Sequence, residues 1–109
     1  MAVAEGGAGE AVTVLEQIVA LDPLDGDALI MLGQHYSDSD ADKAILYFER
    51  AEGLEEFEAD ATLRHGQVLV GQGKYREAIP LLKRAQELDP REDVARYIAQ
   101  VERIARTNR

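Results

Sequence analysis

The sequence contains no cysteine and no tryptophan, and Phe and Tyr bring its aromatic content to only 6%. Without cysteine there is no disulfide framework, no thiolate nucleophile and no cysteine-ligated zinc site. The scarcity of aromatic residues, together with the frequent Ala, Leu, Glu and Arg, favours helices over sheets. A chain of 109 residues has the length of one domain, so we expect a single helical domain.

Long apolar runs and an excess of positive charge are also lacking. No stretch approaches the ~20 apolar residues that a membrane span requires, and residues 1–9 lack the basic and apolar regions of a signal peptide. The formal net charge of −9 argues against binding to nucleic acid or to a membrane surface, since both need a basic protein face. We therefore expect a cytoplasmic protein with a flexible tail at 1–9 and an attraction for basic partners.

The chain repeats itself at intervals of 33 and 34 residues. Three sets of small and large apolar residues stand at this spacing: Ala11, Leu15 and Ile18; Ala44, Phe48 and Ala51; Ala78, Leu82 and Ala85. Leu21-Asp22-Pro23 likewise returns 67 positions later as Leu88-Asp89-Pro90. A period of this length is typical of helical repeat proteins, in which each unit is covered by its neighbour.

Each unit has the pattern of two amphipathic helices separated by chain breaks. The residue before a proline is pushed out of the α region, so Asp22-Pro23 and Asp89-Pro90 end helices. Ser39 or Asp40 suits an N-cap, and Gly71-Gln72-Gly73 suits a left-handed turn. The pattern predicts six helices, at about residues 10–21, 26–37, 41–53, 58–71, 74–87 and 91–106.

Leu29-x-x-Leu32-Gly33-x-x-Tyr36 is followed by Ala44-x-x-x-Phe48-x-x-Ala51. This pattern resembles the signature of the tetratricopeptide-repeat (TPR) family, from which the second unit departs at Thr62 and His65. The resemblance covers residues 10–106 and implies an all-α fold, a right-handed α-α superhelix (TPR-like solenoid) of about six antiparallel helices. It divides the chain into a half repeat (10–25), two repeats (26–57 and 58–92) and a capping helix (93–106).

The resemblance also implies a protein-binding function, in which a concave groove holds a peptide or a helical segment. The groove residues that it implies are Asp27, Ile30, Gln34, Asp60, Leu63, Gln67, Val70, Tyr97 and Val101, with Ser37, Val94 and Ile104 beside them. Their spacing of three or four places each set on one helix face. Such a groove favours partners with apolar anchors and basic residues. The alternative is that Ile30, Leu63, Tyr97 and Val101 only pack against neighbouring helices.

Self-association is the alternative function. The helix that begins near residue 10 is apolar nearly all round, yet the helix that would cover one side of it does not occur in the sequence. An uncovered apolar face of this kind marks an interface, and it predicts a homodimer formed through Val12, Leu15 and Val19. The chain would equally be a fragment of a longer repeat protein.

The sequence has few residues suited to catalysis or metal binding, and we expect no catalytic residue, no cofactor and no metal site. His35 and His65 are the only histidines, and nothing brings them to a Ser–Asp pair; we expect His65 to be packed and hydrogen-bonded. Asp38, Asp40, Asp42 and Glu49 have the ligand spacing of a calcium loop. Lys43 occupies the position where that loop needs glycine, so helix capping is the better interpretation.

Overall fold

The computed structural model describes the backbone of residues 3–107 and the side chains of residues 9–107. This part of the chain is helical throughout, apart from short connections, and contains no strand. The α-helices are α1 (Val3–Leu21), α2 (Gly26–Tyr36), α3 (Ala41–Glu52), α4 (Glu58–Gly71), α5 (Tyr75–Leu88) and α6 (Glu92–Thr107). A single 3₁₀ turn, Glu55–Phe57, leads into α4. The predicted all-α class is confirmed.

Helices α2 to α6 begin and end within one residue of the predicted bounds. The opening helix differs, because α1 begins at Val3 and includes most of the segment that the sequence predicts as a flexible tail. Residues 1 and 2 of that tail lie outside the described residues. Extending an existing helix by one residue avoids the cost of forming a first helical turn. Because the later turns of α1 are held by packing, the helix can extend toward the N-terminus through Gly6, Gly7 and Gly9.

Local signals fix the helix ends that the sequence predicts. The Asp25 carboxylate accepts from the Ala28 amide at 3.1 Å and caps α2, and Asp40 accepts from the Lys43 amide at 3.2 Å and caps α3. Gly73 adopts a positive φ of 77°, which only glycine takes readily, in the turn between α4 and α5. Asp40 is therefore a capping residue, and Glu49 of the calcium-like spacing lies along α3.

Consecutive helices pack against each other, and the molecule is elongated, with principal extents of 48 × 31 × 22 Å. Two apolar clusters lie along it. The first joins residues of α1 to α4 and is centred on Leu29, Leu32 and Phe48. The second joins α4, α5 and α6 around Leu82 and Val101. Helix α4 belongs to both clusters, so it connects the two halves of the core.

Gly33 and Gly66 are sites where helices approach closely. A methyl group on Gly33 would overlap the ring of Phe48, with Cζ at 2.6 Å, and one on Gly66 would lie 2.7 Å from Leu82 Cδ2. Phe48 and Leu82 are almost fully buried, so neither can move aside without disturbing the core. The small residues in the repeat pattern thus set the distance between paired helices.

Replacing Gly33 by alanine should therefore lower the free energy of unfolding by about 1–3 kcal/mol, since overpacking displaces Phe48. Gly71→Ala is the matched control, because no atom lies within 4 Å of the added methyl group. Alanine should leave stability unchanged there or raise it by up to about 1 kcal/mol. Urea denaturation followed by circular dichroism measures both, and equal effects of the two substitutions would contradict this view of Gly33.

Candidate functional site

A cavity of about 430 Å³ lies between α2, α3 and α4 and is open to solvent. We call it the amide cavity, because three glutamines line it. Its lining residues are Gln34, Ser37, Asp38, Ala41, Phe48, Arg64, Gln67, Val68, Gly71 and Gln72. The structure thus brings together Gln34 and Gln67, which the sequence assigns to equivalent positions of two successive repeats.

Arg64 is the cavity residue that the sequence analysis missed. Its Nε donates to Asp60 Oδ1 at 2.9 Å. When the Gln34 amide is turned so that its oxygen faces the guanidinium, Gln34 accepts from both terminal nitrogens of Arg64, with Nη2 at 3.1 Å. Arg64 therefore links α4 to α2 across the cavity. A usable signal was its spacing, four residues after Asp60 and three before Gln67, which places all three on one helix face.

A second, smaller depression of about 210 Å³ lies between α4, α5 and α6. It is lined by Ala59, Asp60, Leu63, Ala85, Asp89, Arg91 and Val94. Asp60 and Leu63 are predicted groove residues, and Asp60 also pairs with Arg64 of the amide cavity. Arg91 hydrogen-bonds Asp93 at 2.7 Å, and this contact holds the pKa of the Asp93 carboxyl below its usual value.

The other predicted groove residues do not all reach the surface. Ile30 and Val101 are only 7% and 1% exposed, so they belong to the core and their assignment to a groove is wrong. Val70 and Tyr97 are half-buried against the second cluster, and burial raises the pKa of the Tyr97 hydroxyl. Asp27 is exposed on α2 but lines neither depression. The packing alternative therefore holds for Ile30 and Val101.

Comparison with known proteins agrees with this architecture. A family model described as the tetratricopeptide repeat matches residues 2–61 and 63–106. The chain belongs to the tetratricopeptide-repeat family. Repeats of this family generally mediate protein–protein interactions, and the family is typically a non-enzymatic scaffold. No curated protein matches the chain significantly. Within residues 3–107, no helix combines the length and apolar character needed to cross a bilayer.

One departure from the TPR signature, His65, has a structural explanation. The imidazole is 8% exposed, and its Nδ1 lies 2.7 Å from Glu52 Oε2 of α3. His65 occupies the position of Leu32 in the previous repeat, so a polar pair replaces an apolar contact between α3 and α4. The prediction of a packed, hydrogen-bonded histidine is confirmed.

The self-association site predicted on α1, the helix of the TPR half repeat, is partly covered by the domain itself. Val19 is buried in the first core cluster, and Val12 and Leu15 pack against the same cluster. This stripe of α1 is already occupied by the rest of the domain. Val19 is only 6% exposed and so cannot contact a second copy, whereas Val12 and Leu15 are half-buried and their part in a homodimer stays a prediction.

Neighbouring residues of α4 should respond differently to substitution. Arg64→Met keeps the aliphatic stem and should change the free energy of unfolding by less than about 1 kcal/mol, because Arg64 and Asp60 are solvent-accessible. His65→Ala should cost about 2–3 kcal/mol, since it opens a cavity and leaves Glu52 without its partner. Thermal and urea unfolding measure both. An equally large loss for Arg64→Met would make Arg64 a structural residue rather than one available to a ligand.

Proposed function

We propose that this TPR domain is an adaptor that binds a peptide or a helical segment of another protein across α2 and α4. The observation that carries the proposal is the amide cavity, where Gln34, Gln67 and Arg64 from two successive repeats line one opening. Surfaces that recognise protein segments combine concave shape with a few well-placed polar groups, and this cavity has both. The smaller depression beside Leu63 extends the same surface toward α6.

The chemistry of the cavity indicates what a bound segment needs. Glutamine amides both donate and accept hydrogen bonds, so they fit an exposed main chain or a polar side chain. Phe48 and Val68 line the cavity but are almost fully buried, so the half-buried Ala41 supplies the apolar surface that a small anchor contacts. Asp38 and Asp60 outnumber Arg64, and Asp60 already neutralises it, so the surface favours Lys or Arg on the partner.

Two substitutions in this surface test the proposal. Leu63→Glu places a charge in the smaller depression and Gln67→Ala removes the amide from the amide cavity without adding charge, so each should weaken binding at least tenfold, which is about 1.4 kcal/mol. Affinity capture from native lysate with the wild-type chain identifies the partner, and titration of that partner measures the loss.

Leu46→Glu is the matched control, because Leu46 is 60% exposed on α3 and lines neither depression. It should bind the partner as the wild type does. Circular dichroism establishes that all variants keep their helices. The proposal fails if Leu63→Glu and Gln67→Ala retain full affinity, or if Leu46→Glu loses as much affinity as they do.

A further inference from the structure

Helix α1 carries a second apolar stripe that the domain does not cover. In the repeat alignment, Ala11, Leu15 and Ile18 correspond to Ala44, Phe48 and Ala51 of α3. The three α3 residues are at most 1% exposed, because both α2 and α4 pack on α3. On α1, Ala11 is exposed and the other two are only half-buried. In the part of the chain that the structure describes, residues 3–107, no helix packs on this side of α1 as α2 packs on α3.

We call Ala11, Val14, Ile18 and Leu21 the open stripe; Ala11, Val14 and Leu21 are exposed, whereas Ile18 is half-buried because it also packs against the first cluster. The spacing of three and four residues places them on one face of α1. Val14 is 50% exposed and Leu21 is 88% exposed, so two large apolar side chains seven residues apart stand uncovered on one helix face. A shallow depression of about 640 Å³ beside Val14 is lined also by Gly9, Glu10 and Thr13, on the neighbouring face of α1.

Charge is distributed very unevenly along the chain. Residues 1–42 contain nine Asp or Glu and no Lys or Arg, whereas residues 43–109 contain twelve of each sign. The whole net charge of −9 thus resides in residues 1–42, which include α1, α2 and the start of α3. Glu10 lies near one end of the open stripe and Asp22 at the other, and among the described residues neither makes a salt bridge. The stripe is apolar with an unneutralised acidic border.

We propose that the open stripe binds a basic amphipathic helix of another protein, seated on α1 as α2 is seated on α3. Apolar contacts to Val14 and Leu21 anchor the helix, and Lys or Arg residues beside its apolar face meet Glu10 and Asp22. A small residue at its centre permits the close approach that Gly33 permits in α2.

Charge and polarity argue against a second copy as the occupant. Two α1 helices facing each other would bring together two segments that both carry only negative charge. The outward face of α6 carries the exposed residues Arg96, Gln100 and Arg103, and the one exposed large apolar side chain beside them, Ile104, is too little to cover both Val14 and Leu21. A helix of another protein that is both apolar and basic covers the apolar side chains of the open stripe and complements its negative charge.

The probe for this site is a synthetic peptide with the sequence of residues 26–37 and the substitutions Asp27→Lys, Met31→Lys and Gln34→Lys. These three positions are exposed in α2, so the apolar face that packs on α3 is retained. The control peptide retains Asp27 and carries Met31→Glu and Gln34→Glu. Amide chemical shifts of the isotope-labelled full chain, recorded during titration, locate the contact and give the affinity.

The lysine peptide should perturb amides of α1 around Val14 and Leu21 and bind at least tenfold more tightly than the glutamate peptide. Its affinity should fall with added salt. Val14→Lys should weaken binding at least tenfold, whereas Leu46→Lys, also at an exposed leucine, should not. Leu63→Glu should leave this binding intact, so the result is independent of the function proposed for the amide cavity.

Three outcomes would overturn the proposal. The first is perturbation confined to α2 and α4, and the second is equal binding of the two peptides or none. The third concerns the molecular mass measured without peptide. If the mass of the wild type rises with protein concentration and that of Val14→Lys stays monomeric, a second copy covers the open stripe. Circular dichroism of Val14→Lys ensures that lost binding is not lost folding.

Discussion

No helix of this chain buries its apolar stripe alone, and every other feature of the structure depends on that constraint. Each helix is covered by the next, and the closeness of the pairs is set by residues without bulk. Gly33 leaves room for the Phe48 ring and Gly66 leaves room for Leu82. A glycine in each repeat therefore permits close packing of a large side chain from the next helix. Apolar packing at these crossings stabilises the domain, and polar groups are thereby displaced to the surfaces between successive units.

Three consecutive residues of α4 show how this arrangement produces a site. Arg64 points into the amide cavity and pairs with Asp60, His65 contacts Glu52 of α3, and Gly66 lies against Leu82 of α5. Because a helix turns by about 100° per residue, the same short segment faces solvent, the preceding helix and the following helix. The cavity residues are therefore held by a helix that is fixed in the core on two sides. A rigid support of this kind reduces the ordering that binding requires.

The sequence predicts the helices better than it predicts the binding surface, and the reason is physical. Prolines, N-cap aspartates and Gly73 act locally, so the bounds of α2 to α6 could be found from neighbouring residues alone. Spacing also placed Gln34 and Gln67 on one surface. Residue spacing predicts which helix face a side chain lies on but not how far neighbouring helices bury it. Ile30 and Val101 were therefore assigned to the groove although both are buried. Arg64 was missed because its role depends on a contact between two helices.

The first and last helices of the stack, α1 and α6, differ in the surface that they expose, and α1 exposes the more apolar one. The last helix turns Arg96, Gln100 and Arg103 outward, a face that water solvates well. The first helix exposes Val14 and Leu21 instead, inside the segment that contains the whole net charge. An apolar face gains free energy on burial, whereas a charged one must first lose its hydration. The proposed partner helix therefore gains more from apolar contact on α1 than it would on α6, where Ile104 is the one exposed large apolar side chain.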